Sequence, residues 1–369
     1  MSRLLVTGGA GFIGANFVHY WLRRHASDTV VVLDALTYAG NLASLAAAES
    51  FPLYDFVHGD IRDQDLVESL LRSKKIDTIV HFAAESHVDR SISGPDPFLD
   101  VNIGGTHTLL KAARKVWLYE PRESPDHCFH HVSTDEVYGS LGQTDAAFTE
   151  TTPYAPNSPY AASKAAADHL VRAYHKTYGL ATTISNCSNN YGPYHHPEKL
   201  IPLCILNLLA GKDLPIYGDG SNVRDWLHVE DHCRGIELVL ANGRPGDTYN
   251  LGGNAERTNL ELVENLCTLT DRAFAEEPTL SSRFPQAAPA RDGHSRELIT
   301  FIADRPGHDK RYAINAGKAR EQLGFEAEMD FDEGLSRTLR WYLANEGWWQ
   351  AILDGSYRDW IEKQYGERP

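Results

Sequence analysis

Along the first half of the chain, short runs of β-branched and aliphatic residues alternate with longer segments in which apolar residues recur every three or four positions. The short runs fit strands buried on both faces, and the longer period fits helices that cover them. Strands are expected at residues 4–7, 30–34, 55–58, 78–82, 129–133 and 182–186, with helices at 16–25, 63–72, 102–117 and 159–178. This alternation predicts an α/β protein on a doubly wound parallel sheet, a Rossmann fold.

Beyond residue 186 the period becomes irregular. Asn189-Asn190-Tyr191-Gly192-Pro193 and Tyr217-Gly218-Asp219-Gly220 read as loops between helices at 200–210 and 231–241. We expect residues 1–186 to form mainly the Rossmann domain and 187–369 mainly a smaller, mixed substrate-binding domain, with exchange of segments between the two. Residues 276–296, polar and Pro-containing, read as an exposed excursion, and the aromatic stretch 341–360 as packed helix.

Composition narrows the function classes. The 369 residues are 42% hydrophobic and 23% charged, as in ordinary globular proteins. A net charge of -15 without a long basic patch argues against a nucleic-acid partner, while still allowing one anionic ligand at a helix N-terminus or beside local Arg and Lys. The five cysteines are scattered and lack a Cys-x-x-Cys pair, so neither a disulfide framework nor a zinc knuckle is expected. The longest apolar stretch, 201–210, is too short to span a bilayer, and the first residues run straight into a strand pattern; a cytoplasmic location without membrane contact is expected.

Thr7-Gly8-Gly9-Ala10-Gly11-Phe12-Ile13-Gly14 follows the first strand and opens the first helix. Glycines at 8, 11 and 14 permit a tight turn, approach to a pyrophosphate and close helix–strand packing, with the helix N-terminus favouring negative charge. Asp34 ends the second strand twenty residues after Gly14, where its carboxylate can accept from both hydroxyls of an adenosine ribose. A 2′-phosphate would meet like-charge repulsion there, so NAD is the expected cofactor. Asp60-Ile61, after the third strand, reads either as an adenine contact or, for Asp60, as a helix N-cap.

Tyr160-Ala161-Ala162-Ser163-Lys164 opens a helix and sets phenol and ammonium on one face. A neighbouring ammonium and a cationic nicotinamide would favour phenolate, giving a base for an alcohol that loses hydride. Ser133-Thr134-Asp135-Glu136 lies at the carboxyl end of a buried strand, where ligands of such sheets bind and where adjacent carboxylates are costly without a task.

These residues resemble the extended short-chain dehydrogenase/reductase family, whose nucleotide-sugar members include epimerases, decarboxylases and dehydratases. The triplet Thr134-Asp135-Glu136 resembles that of its dTDP-glucose 4,6-dehydratases; related epimerases and decarboxylases usually lack the Asp. The resemblance runs through residues 34–41, 84–91, 186–193, 197–202, 224–226, 304–309 and Trp348-Trp349, with 276–296 longer than is typical.

It implies a catalytic set of Thr134, Asp135, Glu136, Tyr160 and Lys164, and adds Thr37, Ala83 and Asn186 to the cofactor residues. Arg224 and Arg305 would clamp a diphosphate, and Pro215 and Tyr217 would pack beside thymine. Ser86, His87, Asn189, Glu198, Lys199, Leu200, Asn259 and His308, with Thr134, would line the nucleotide sugar. A homodimer is likewise implied.

On this reading Tyr160, helped by Thr134 and Lys164, takes the C4 hydroxyl proton during oxidation. Glu136 then removes the C5 proton, protonated Asp135 donates to the leaving C6 hydroxyl, and hydride returns to C6. The rival readings are another NAD-dependent nucleotide-sugar epimerase or decarboxylase, and a catalytically silent NAD-binding regulator. No metal site is expected: His228-Val229-Glu230-Asp231-His232 lacks the metalloprotease order, and Asp231 reads as the cap of a new helix.

Overall fold

A computed structural model describes residues 1–121 and 126–354. In chain order the first half gives β1 (Arg3–Thr7), α1 (Phe12–Arg24), β2 (Thr29–Asp34), β3 (Tyr54–His58), α2 (Gln64–Ser73), β4 (Thr78–His81), α3 (Val88–Ser93) and α4 (Asp96–Phe98). It continues with α5 (Thr106–Arg114), β5 (Cys128–Thr134), α6 (Pro159–Tyr178) and β6 (Thr182–Cys187). The second half gives β7 (Asn189–Tyr191), α7 (Leu200–Ala210), β8 (Leu214–Tyr217), β9 (Val223–His228), α8 (Val229–Asn242), β10 (Thr248–Leu251) and β11 (Glu256–Thr258). The remaining elements are α9 (Asn259–Glu276), α10 (Thr279–Arg283), β12 (Ile299–Ile302), α11 (Gly317–Leu323), α12 (Phe331–Ala344) and α13 (Glu346–Leu353).

Seven strands form one sheet in the order β10-β6-β5-β4-β1-β2-β3, and every pair in it is parallel. The strands are Val-, Ile- and Leu-rich because both faces are covered. One face packs on α1, α8 and α11 through residues such as Phe17, Val18, Ile236 and Phe325. The other packs on α2, α5 and α6 through Leu70, Leu109 and Val171. From β1 the chain winds outward through β2 and β3, then returns to β4 on the other side, so the crevice at the carboxyl ends of β1 and β4 is the topological switch point. The Rossmann fold class read from the sequence is the observed one.

The outer strand β10 and the covering helices α8 and α11 come from the second half of the chain. That half also builds a separate core from α7, α9 and α12, beside two small sheets, β11-β9-β7 and β12-β8. These place Asn189, Arg224 and Tyr217 opposite the switch point.

Several local expectations are corrected. Helix α1 starts at Phe12, not residue 16, because Gly11 is its extended N-cap and the glycine turn runs directly into the helix. The helix expected over 102–117 is α-helical only at Thr106–Arg114 and is flanked by π-helical turns, Leu99–Gly105 and Lys115–Tyr119. Asp63, not Asp60, caps α2 by accepting from the Leu66 N–H. His228, not Asp231, caps α8; Asp231 instead accepts from the N–H groups of Glu328 and Met329 and pairs with Arg234.

The stretch 276–296 is not an exposed excursion, since Leu280, Phe284 and Ala287 are buried in the second core. Trp349 is buried and Trp341 and Trp348 pack on the same core, whereas Trp360 lies outside the described residues. No helix among the described residues is long and apolar enough to cross a membrane.

Candidate active site

The glycine turn after β1 is built by backbone proximity. Gly8 has φ +71°, and a Cβ there would lie 2.6 Å from the Ala83 backbone; a Cβ on Gly14 would lie 2.2 Å from the Gly8 carbonyl oxygen. Both glycines are therefore demanded by the turn itself. Gly11 differs, because a Cβ on it would meet only the Gly8 oxygen, at 3.3 Å. Its bare face opens on a cavity of about 380 Å³ that runs along the carboxyl edge of the sheet.

Asp34 stands in that cavity with Oδ2 accepting from the Ala10 N–H at 2.9 Å and Oδ1 from the Leu36 N–H at 2.8 Å. Burial nevertheless raises its pKa. Phe12, Ile13, Thr37, Asp60, Ile61, Ala83, Tyr160 and Lys164 line the same cavity. Asp60 is held by a bidentate pair with Arg62, which lowers its pKa.

Asn186 is the exception among the expected cofactor residues. It is fully buried and does not line the cavity; its amide donates to the Thr134 carbonyl oxygen at 3.0 Å and so supports the end of β5 from behind.

Strand β5 ends at Thr134, whose hydroxyl caps the short 3-10 turn Asp135–Tyr138 by accepting from the Glu136 N–H at 3.2 Å. The turn delivers two carboxyl groups to one place with different surroundings. Asp135 is 2% exposed, and its Oδ2 has no hydrogen-bond partner among the described residues. Burial, then the neighbouring Glu136 and Asp225, push its pKa well above the ordinary carboxylate range, which favours the protonated form. Burial also raises Glu136, but Arg305, Arg224 and Lys199 oppose the rise, leaving it the more readily ionised of the two. This is how an acid and a base are obtained from one residue type.

Glu136 also lines a second cavity, of about 190 Å³, which shares Ser86, Asn189, Glu198, Lys199 and Leu200 with the first. His87, Pro215, Tyr217, Arg224, Asn259, Arg305 and His308 line it as well, beside Asp89, Trp226 and Tyr312. The structure thus brings the expected substrate residues together from β7, β8, β9 and four loops or helix starts; Thr134 is on the first cavity.

Arg305 pairs with Asp89 at 3.3 Å, and Tyr217 donates to the other oxygen of Asp89 at 3.2 Å. Arg224 stacks 4.3 Å from the Tyr312 ring centroid and donates to the Asp309 carbonyl oxygen. Lys199 donates to the Ser86 carbonyl oxygen at 3.0 Å.

Tyr160 and Lys164 sit in the first turns of α6, which Ser158 caps by accepting from the Ala161 N–H. Lys164 is not among the largest influences on the Tyr160 phenol. Burial, then Glu136, Cys187 and Asp135, hold Tyr160 well above its ordinary pKa, and the Thr134 hydroxyl opposes them. Lys164 turns inward instead and donates to the Val132 carbonyl oxygen at 2.8 Å.

Sequence reasoning missed Tyr38, Asp89, Arg90 and Tyr312. The Arg90 guanidinium lies 3.9 Å from the Tyr38 ring centroid and 3.3 Å from Glu198, tying the segment after β2 to the segment before α7. Asp89 and Arg90 fall within the 84–91 segment and could have been taken from it. Tyr312 stands in no motif. Among the described residues no three His, Cys, Asp or Glu side chains converge as metal ligands; His232 instead pairs with the Asn190 amide oxygen at 2.9 Å.

A parallel sheet with this glycine turn, and a Tyr-Lys pair on the helix that follows a strand-end acid pair, define an extended short-chain dehydrogenase/reductase. A profile of the GDP-mannose 4,6 dehydratase family matches residues 5–338. The chain is 56% identical over 360 residues to the dTDP-glucose 4,6-dehydratase of Xanthomonas campestris pv. campestris (strain B100), covering 97% of this chain and 98% of the relative. It is 52% identical over 359 residues to the enzyme of that name from Neisseria meningitidis serogroup B (strain ATCC BAA-335 / MC58), again covering 97% and 98%.

Among solved structures, the dTDP-glucose 4,6-dehydratase of Bacillus anthracis str. Ames in complex with NAD superposes with a TM-score of 0.82 at 46% identity, over 95% of this chain and 100% of that one. UDP-glucose 4-epimerase from Thermotoga maritima, bound to UDP-glucose, gives 0.77 at 25% identity over 93% and 99%. The chain belongs to the dTDP-glucose 4,6-dehydratase family.

Proposed function

We propose that this cleft converts dTDP-glucose to dTDP-4-keto-6-deoxyglucose and water, as an NAD-dependent hydro-lyase. The observation that carries the reading is the Asp135–Glu136 pair: two adjacent carboxyl groups with opposed environments, lining the first cavity together with Tyr160, with Glu136 also facing the second. An epimerase needs no such pair, because it expels no hydroxyl group.

The residues present fit NAD. Gly11 leaves backbone-deep space at the α1 N-terminus for a pyrophosphate, and Asp34 has lone pairs for a ribose. When bound, NAD supplies the acceptor for hydride from C4 and its donor to C6.

The chain's residues handle the protons. Tyr160, oriented by Thr134, takes the C4 hydroxyl proton; the cationic surroundings that make this possible are the Lys164 ammonium and the bound oxidised cofactor. The resulting ketone acidifies C5, and Glu136 removes that proton. Asp135 donates its proton to the C6 hydroxyl, which leaves as water. Glu136 returns the proton to C5, and exchange with solvent resets Tyr160 and Asp135.

Arg224 and Arg305, which both line the second cavity, would hold the diphosphate, with Pro215 and Tyr217 against the base. The further parts of the reading are a homodimer in the cytoplasm, with a nucleotide-sugar substrate and neither nucleic acid nor membrane as partner. Its two functional regions are residues 1–186, mainly for NAD, and 187–369, mainly for the nucleotide sugar, exchanging β10 and its flanking helices.

Incubating the purified protein with dTDP-glucose and no added cofactor tests the reading. The expected product is the 4-keto-6-deoxy sugar nucleotide, lighter by one water. Unchanged mass with a C4 epimer, or a lasting need for stoichiometric external NAD with NADH accumulating, would overturn it.

A further inference from the structure

Behind the Tyr160–Lys164 pair lies a group of buried ionisable side chains that the mechanism above does not use. Asp168 is one helical turn beyond Lys164 on the same face of α6, and both it and His131 of β5 are wholly buried. One atom joins the three side chains: His131 Nε2 stands 3.4 Å from Lys164 Nζ and 3.3 Å from Asp168 Oδ1. The other Asp168 oxygen, Oδ2, accepts from the Ser133 hydroxyl and the Tyr154 hydroxyl, each at 2.9 Å. Oδ1 accepts no hydrogen bond from the described residues and faces the imidazole.

We propose that Asp168 is a positioning residue for C4 oxidation: its carboxylate, set beside the His131 nitrogen that Lys164 also approaches, keeps Lys164 charged and anchored where it serves Tyr160. The proposal rests on the oxidation role given above to Tyr160 and Lys164.

A buried ammonium is unstable without a counter-charge. Around Lys164 the candidates are few. His131 from β5 and His81 from β4 are both held well below the ordinary imidazole pKa by burial and are neutral. Cys187 from β6 is pushed above the ordinary thiol range by burial and is also neutral. Within α6, burial and then Glu136 hold Tyr160 as a phenol until the oxidised cofactor binds, which leaves Asp168 as the anion built into the fold.

The numbers agree in sign. Burial lowers Lys164 to about 8, and Asp168 is the largest effect opposing it. Burial raises Asp168 to about 6, opposed first by Lys164 and then by the Ser133 and Tyr154 hydroxyls. Anion and cation therefore coexist between those two values, and the ammonium is lost above the upper one.

The test is single-turnover oxidation of dTDP-glucose by the holoenzyme across pH, in the Glu136→Gln background where elimination is blocked, read as enzyme-bound NADH. With Asp168 intact the rate should follow a bell with limbs near about 6 and about 8. Asp168→Asn should abolish the acid limb and move the alkaline limb down by roughly one unit or more, with KM for dTDP-glucose little changed. Ser133→Ala keeps the charge but withdraws one hydrogen bond from the carboxylate. It should raise the acid limb and leave the alkaline limb in place, and it decides the matter if Asp168→Asn does not fold.

A profile in either variant that superposes on that of the parent overturns the positioning role. Tyr160→Phe separates the two levels of failure. If Tyr160→Phe abolishes oxidation while Asp168→Asn shifts nothing, only this proposal falls; if Tyr160→Phe oxidises normally, the reading beneath it falls too.

Discussion

At the scale of single residues, the account turns on proton positions. Tyr160→Phe removes the acceptor for the C4 hydroxyl proton without removing the ring, so formation of bound NADH should fall by roughly a hundredfold or more while substrate affinity holds. Stopped-flow absorbance of the bound nicotinamide measures this directly. The two carboxyl groups should separate in the same way. Glu136→Gln should keep C4 oxidation but lose deuterium uptake at C5 from heavy water by roughly a hundredfold or more. Asp135→Asn should keep that uptake while product formation slows. Normal exchange in Glu136→Gln, seen by mass spectrometry, would remove Glu136 from the base role.

Asp135 also makes a stability prediction. Its pKa is raised well above the ordinary carboxylate value. The unfolded chain therefore releases this proton at a lower pH than the folded one, and stability is lost as pH climbs from the carboxylate range towards the folded value. Asp135→Asn carries no such penalty, so the variant should melt above wild type at neutral pH even though its activity is impaired. Equal melting temperatures at neutral pH would argue that Asp135 is not held protonated.

The chemistry-bearing residues themselves were legible in the sequence, because a strand end followed by two acids and a helix start bearing Tyr-x-x-x-Lys are local signals. Their environments were not. That Lys164 faces the Val132 carbonyl oxygen and His131, or that Asn186 lies behind β5, depends on packing between β4, β5, β6 and α6.

At the scale of elements, the turn between β1 and α1 separates structural from ligand-facing glycines. Gly14→Ala would drive a methyl group onto the Gly8 carbonyl oxygen and the Gly9 Cα, so it should lower the melting temperature of the cofactor-free protein. Gly11 has φ -79° and ψ 177°, which any residue adopts, and its Cβ would have a single contact. Gly11→Ala should therefore cost at most roughly 1 kcal/mol of stability yet weaken NAD binding, as calorimetry on the two variants would show. If Gly11→Ala binds NAD normally, the pyrophosphate does not pass over this glycine.

Element positions were well read in the buried strands and α7 from their apolar runs, and in α6, where Ser158 and Gly179 bound the pattern. They were missed where a side chain outside the pattern decides the boundary. Asp63 and His228 displace Asp60 and Asp231 as caps, and π-helical turns widen the ends of α5 although its apolar period continues.

At the scale of the whole molecule, the Rossmann sheet is not completed by the first half of the chain. β10 pairs with β6, and α8 and α11 cover one face through Ile236, Val239 and Phe325. A fragment of residues 1–186 would leave that face and the β6 edge bare, so it should not unfold cooperatively by calorimetry, whereas the full chain should. A cooperative fragment would restore a simple division at residue 186. The exchange could not be located from the sequence, since Thr248–Leu251 is a four-residue strand with no periodicity of its own.

The central claim is that one cleft oxidises, eliminates and reduces without releasing its hydride. The most direct measurement is the fate of deuterium placed on C4 of dTDP-glucose, followed by mass spectrometry and NMR of the product. The account predicts a 4-keto-6-deoxy product that carries the label on C6. Product lacking the label at C6, or label recovered in free NADH, would contradict it.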